Sequence, residues 1–163
     1  CLVVGDRLHF YVSGRTSGEN SVALAFLRRD GFAWMDAGVQ EGTLTTRPAR
    51  FSGRRLFVNV DNPKGALRVE VLDEAGQVIA PFTAEACVPV AADQTAHRLR
   101  WKSVADLSSL ANQPVRFRFH LRNGHLYAFW VSPDASGASR GYVTAGGPGF
   151  TENRDLVGST GRN

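Results

Sequence analysis

Apolar and polar positions alternate along most of the chain, and the alternating runs are short. Leu8–Ser13 (LHFYVS) is a strand pattern rich in aromatic and β-branched residues. Gly14–Asn20 reads as a polar loop. Ser21–Arg28 alternates again, with Val22, Leu24 and Phe26 on one side and Ala23, Ala25 and Leu27 on the other. After the small, polar stretch DAGVQEG at Asp36–Gly42, which reads as a boundary, the pattern resumes. Thr43–Arg47 is extended, Leu56, Val58 and Val60 share a face, and Leu67, Val69 and Val71 oppose Arg68 and Glu70. His97, Leu99 and Trp101 oppose Arg98 and Arg100. The only helix pattern is Asp106–Ala111, short and with Asp106 as its cap. Tyr142–Thr144 reads as a last strand, and the polar stretch 151–163 as a flexible tail. Short strands punctuated by Gly, Pro, Asn and Asp predict an all-β fold, a sandwich or a barrel.

The densest pattern is Pro114–Ser132, PVRFRFHLRNGHLYAFWVS. Asn123-Gly124 between two alternating runs predicts a β-hairpin with a two-residue turn. That register sets Arg122 against His125, His120 against Tyr127, and Arg118 against Phe129. It also sorts the side chains into two faces. Val115, Phe117, Phe119, Leu121, Leu126, Ala128 and Trp130 form a core face. Arg116, Arg118, His120, Arg122, His125, Tyr127, Phe129 and Val131 form a face both cationic and aromatic.

Composition narrows the class. The chain has 163 residues, 43% hydrophobic and 21% charged, as in a globular domain. No apolar run is long enough to cross a bilayer as a helix, so no membrane partner is expected. The net charge of +4 comes almost wholly from arginine, Lys64 and Lys102 being the only lysines. The arginines are spread between apolar residues rather than clustered in a nucleic-acid motif, and nucleic acid is not an expected partner. Cys1 and Cys87 are too few for a zinc cluster, and two unpaired thiols are favoured over a disulfide. The chain opens on a strand-like CLVV without Met, so a piece of a longer or processed polypeptide is expected. The compartment is left open, a secreted or periplasmic one included.

Candidate chemistry is sparse. His9, His97, His120 and His125 lack a third ligand in any local pattern, so no metal is expected. There is no G-x-S-x-G elbow, and GGPG at Gly146–Gly149 lacks a strand-to-helix transition, so no phosphate loop and no cofactor are expected. Asp6, Asp30, Asp36, Glu41, Asp61, Glu70 and Asp73 offer no pair that stands out as catalytic. Trp34, Trp101, Tyr127, Phe129 and Trp130 could stack on sugar rings, with arginines beside them to bind hydroxyls or carboxylates. Alternation favours the core for Trp101 and Trp130. The remaining candidate carbohydrate site is Arg116, Arg118, His120, Arg122, Tyr127 and Phe129. A solvated sheet face, first, and a surface docked against a second domain, next, are both favoured over ligand binding there.

Four segments carry a family resemblance: CLVVGDRLHFYVSGR, VALAFLRRDGFAWMDAG, EGTLTTRPARFSGRRLFVNVD and PVRFRFHLRNGHLYAFWVSP. Together they resemble the C-terminal part of bacterial glycosidase-like proteins, similar to the five-bladed β-propeller glycoside hydrolases of families 32 and 43 (invertase and arabinanase types). The resemblance implies that residues 1–35 are strands of a partial terminal propeller blade. Residues 36–150 would be an antiparallel β-sandwich, jelly-roll or concanavalin-like. It also implies a non-catalytic module that supports a propeller or binds carbohydrate, because no position matches the family's catalytic motifs. The partners would be carbohydrate or the propeller part of the same protein. The alternatives are an autonomous jelly-roll glycosidase or lyase, and a purely structural interaction domain.

Overall fold

The computed structural model describes residues 1–143 and 145–158. The described residues are all-β, with ten strands in three antiparallel sheets. The first sheet holds β1 (Leu2–Val4), β2 (Arg7–Thr16) and β3 (Glu19–Arg28), in that order. β2 and β3 form a hairpin of ten residues a side, closed by Ser17 and Gly18. Both have positive φ, 52° and 88°, the requirement of a type I′ turn. The expected polar loop at Gly14–Asn20 is therefore mostly strand.

The other two sheets face each other across the core. One has the order β4 (Met35–Ala37), β10 (Gly124–Ser132), β6 (Arg55–Asp61), β8 (Asp93–Arg98). The other has β5 (Gly42–Thr45), β9 (Arg116–Arg122), β7 (Ala66–Leu72). From β4 to β10 the chain changes sheet at every step, so no two consecutive strands of the sandwich are paired. Leu56, Val58 and Val60 of β6 meet Leu67, Val69 and Val71 of β7 and Phe117, Phe119 and Leu121 of β9 in one buried cluster. Trp101 is in that core as expected, its indole N–H donating to the Val69 carbonyl at 3.1 Å. Cys87 is buried and unpaired, and Cys1 is exposed and unpaired.

The hairpin expected at Asn123-Gly124 does not form. β9 pairs with β5 and β7, whereas β10 pairs with β4 and β6. Asn123 has the positive φ a tight turn needs, 48°, but Gly124 lies outside the left-handed region, so this is a corner between sheets. Gly124 serves a close approach instead. A Cβ there would sit 2.5 Å from the Asp61 carbonyl oxygen and 2.4 Å from the Asn62 Cβ. Gly65 does the same in the opposite direction, its would-be Cβ falling 2.0 Å from the Arg122 carbonyl oxygen. The β6–β7 and β9–β10 corners thus lie backbone against backbone. Asn62 latches the first: its amide donates to the Val90 carbonyl at 2.9 Å and its Oδ1 accepts from the Ala92 N–H at 3.0 Å.

The faces of β10 also differ from expectation. Its register on β6 shifts between Leu126 and Ala128, with Tyr127 the extra residue of a β-bulge. One extra residue exchanges the faces beyond it. Leu126, Phe129 and Val131 pack on the core, and Ala128 and Trp130 turn outward. Phe129 lies 4.9 Å from the Phe119 ring and 5.8 Å from the Phe117 ring. Trp130 stacks on Phe57 at 5.8 Å on the outer side of the sheet, beneath the 133–141 loop, and donates to the Gly137 carbonyl at 2.9 Å.

Around the sandwich, the helix pattern at 106–111 becomes a single 3-10 turn, Ser108–Leu110, with the Asp106 carboxylate accepting the Ser108 N–H at 2.9 Å. Tyr142 forms one bridge, to Arg154, rather than a strand, and Thr144 is outside the described residues. In the expected tail, Asp155 is buried and its N–H donates to the Gly141 carbonyl at 2.9 Å, while 159–163 lie outside the described residues. The first sheet is tied to the sandwich at its base. The Asn59 amide donates to the Arg29 carbonyl at 2.7 Å, and the Thr95 hydroxyl donates to the Asp6 carboxylate.

Candidate functional site

The corner at Asn123 divides the six residues expected to form one site. Arg116, Arg118, His120 and Arg122 remain together on the outer face of the three-stranded sheet. Tyr127 is on the outer face of the opposite sheet, and Phe129 is in the core. His120 and His125, expected on one face, likewise belong to different sheets.

The four-residue group is held largely by its own strand neighbours. Glu70 lies opposite Arg118 and beside His120 in the β7–β9 register. Its carboxylate is buried and accepts from Arg118 Nη1 at 2.9 Å, with His120 Nε2 at 3.2 Å. His120 Nδ1 is 3.2 Å from Glu41 Oε1. Arg118 Nε donates to the Thr45 hydroxyl at 3.3 Å, and Arg116 Nη1 to the Thr46 carbonyl at 3.3 Å. Cross-strand pairs of this kind stabilise a sheet face and leave few donors for a ligand. Arg122 is the exposed member.

Aromatic side chains converge elsewhere, at the end of the four-stranded sheet where β10 meets β4. The register sets His125 opposite Asp36, and His125 Nδ1 is 2.9 Å from Asp36 Oδ1. Trp34 precedes β4 and is 53% exposed. Its ring lies 5.7 Å from His125 and 5.9 Å from Tyr127, with His125 and Tyr127 6.2 Å apart. The bulge is what brings Tyr127 here. The Arg28 guanidinium covers the other side, 4.7 Å from the Tyr127 ring centre. Arg28 is fixed by Asn59 Oδ1 at 2.7 Å, Asp93 Oδ1 at 2.6 Å and the Val60 carbonyl at 3.0 Å. Burial raises the Tyr127 phenol above its ordinary pKa; Arg28 opposes this, and Asp61 and Asp93 add to it.

Arg28 also walls a polar cleft of about 400 Å³ between the first sheet and the sandwich, lined by Asp6, Arg7, Phe26, Asp93 and Thr95. An exposed indole with a cation, two carboxylates and a hydroxyl nearby can stack on an apolar ring face and hydrogen-bond its substituents. Among the described residues, no group of three His, Cys, Asp or Glu side chains could hold a metal ion, and no helix is long and apolar enough to cross a membrane. Trp34 and Tyr127 were the members of this cluster visible in the sequence as aromatic candidates. Arg28 and Asp36 gave no sequence signal, because they reach the cluster through long-range pairing.

Comparison of the chain with protein-family models, with curated proteins and with solved structures gives no match.

Proposed function

We propose that this chain is a non-catalytic β-sandwich module of a glycoside-hydrolase-like protein, and that its first sheet packs as a blade against a β-propeller of that protein. The observation that carries the reading is the outer face of β2 and β3. Their register gathers Leu2, Tyr11, Val22, Leu24 and Phe26 on one face, and every one of these side chains is exposed. Monomeric proteins rarely leave so contiguous an apolar surface to water. Blades of a propeller stack face to face, and a three-stranded sheet with an apolar outer face suits that role. The sandwich would then brace the blade through Asp6, Arg28 and Arg29.

Hydrogen exchange tests the proposal by comparing this chain alone with the longer polypeptide encoded by its gene. Amides of 9–13 and 22–26 should exchange much more slowly in the longer protein. Equal exchange in both, or a gene encoding no further β-sheet domain, would overturn it.

The Trp34 cluster favours a second reading, in which the module also holds a glycan. Oligosaccharide titration should then change the tryptophan fluorescence, and Trp34→Ala should abolish the change. A flat response across neutral and acidic oligosaccharides would remove this reading.

A further inference from the structure

A second cluster lies on the outer face of the four-stranded sheet, at its β8 edge. The register places Phe57 opposite Arg98. The Leu99 N–H, donating to the Leu56 carbonyl at 2.9 Å, continues the ladder by one step. Arg55 and Arg100 therefore come opposite each other, on the same face as Arg98. Three guanidinium groups share one small area.

Two of them carry donors with no acceptor. Arg55 Nε and Arg98 Nε are shielded from solvent, and neither has a hydrogen-bond partner among the described residues. Leaving a buried charged donor unsatisfied is costly, because the group has lost its water and gained no acceptor. Another part of Arg98 is engaged, Nη2 donating to the Ala105 carbonyl at 3.1 Å. Burial first, then Arg55 and Arg100, pull the Arg98 pKa below its ordinary value. The carboxylate that acts against this is Asp106, and it is turned to its own loop. Its Oδ1 accepts from the Ser108 N–H at 2.9 Å and the Ser108 hydroxyl at 2.6 Å. The cluster thus has positive charge and idle donors in excess. Space adjoins it: Arg98 and Arg100 line a cavity of about 460 Å³ with Gln94, His97 and Val88.

We propose that Arg55, Arg98 and Arg100 form a binding site for a single oxyanion, a sulfate, phosphate or carboxylate group. On binding, the Arg55 and Arg98 side chains turn toward the cavity, where the anion's oxygens accept from the two Nε–H groups and its charge separates the guanidinium groups. Charge-assisted bonds to arginine are the strong ones, and planar guanidinium suits all three anion types. The site is independent of the packing of the first sheet and of the Trp34 cluster.

NMR of the arginine Nε–Hε groups reads the site directly. The protein is titrated at constant ionic strength with inorganic sulfate, inorganic phosphate and glucuronate, chloride being the replaced ion. The Arg55 and Arg98 Nε–Hε resonances should shift and saturate with at least one of the three. The anion that saturates at the lowest concentration identifies the source, inorganic or sugar-borne. Arg100→Gln should weaken binding about tenfold, the equivalent of one charge-assisted bond. Arg122→Gln, on the opposite sheet, should leave it unchanged. Shifts that never saturate with any anion, or that are the same in Arg100→Gln, would overturn the site. If Arg100→Gln fails to fold, the wild-type titration alone decides.

Discussion

β3 and β6 are built alike and are used differently. β3 presents Val22, Leu24 and Phe26 on one face, and β6 presents Leu56, Val58 and Val60. In β6 these residues are at most 1% exposed; in β3 they are 77%, 39% and 51% exposed. The difference lies in what stands opposite. β6 has strands on both sides and a second sheet across the core. Among the described residues, β3 is an edge strand paired with β2 alone, and no second sheet lies across its apolar face. Burial of apolar area, at roughly 25 cal/mol per Å², rewards the first arrangement and not the second. The hairpin pairing of β2 and β3 then rests on its ladder, its type I′ turn and its base near Val3 and Leu8.

Truncation is the strongest way to break this contrast. Phe117→Ala removes a fully buried ring in contact with Phe51, Phe119 and Phe129, and should cost about 3–5 kcal/mol by chemical denaturation. Phe26→Ala in the isolated chain should cost about 0.5 kcal/mol or less. Comparable losses would show that the β3 face is covered in solution. A smaller effect separates two glycines. Gly65→Ala should destabilise by about 1–3 kcal/mol, because its Cβ meets backbone at the paired corners. Gly38→Ala, whose Cβ meets no atom within 4 Å, should be near neutral. Equal effects would mean that the corners are not in contact.

The smallest effect is a titration confined to the sandwich. Burial, and then Arg100, hold the His97 pKa below 6.5. On acidification through the window just below 6.5 the unfolded chain takes up its proton first, so stability falls there as pH falls. His97→Gln should flatten the stability profile in that window. An unchanged profile would place His97 in contact with water.

The same contrast explains what could be read from sequence. Alternation correctly sorted β9, where Phe117, Phe119 and Leu121 point inward and Arg116, Arg118 and His120 outward. It failed on β10 beyond Tyr127, because a bulge depends on the partner strand and leaves no mark in the alternation itself. Turn chemistry was ambiguous in the same way. Asn123-Gly124 has hairpin residues but turns between sheets, while the two-residue hairpin turn is at Ser17-Gly18. A turn motif specifies a reversal of direction; it does not say whether the two arms bond to each other. The aromatic cluster needed three separate segments to meet, Trp34, His125–Tyr127 and Arg28, and no local pattern encodes such a meeting. The all-β class depended only on local periodicity, and it was legible.

The two abutting corners have a consequence for how the sandwich keeps its alignment. A strand in an open sheet can slip by two residues and keep its faces. Here a slip of β10 along β6 would pull Gly124 away from Asp61, and the carbonyl of Arg122 would meet whatever followed Gly65. The corners act as a shared gauge block. Each sheet's register is measured against the other's, so an error in one strand is felt by both sheets at once.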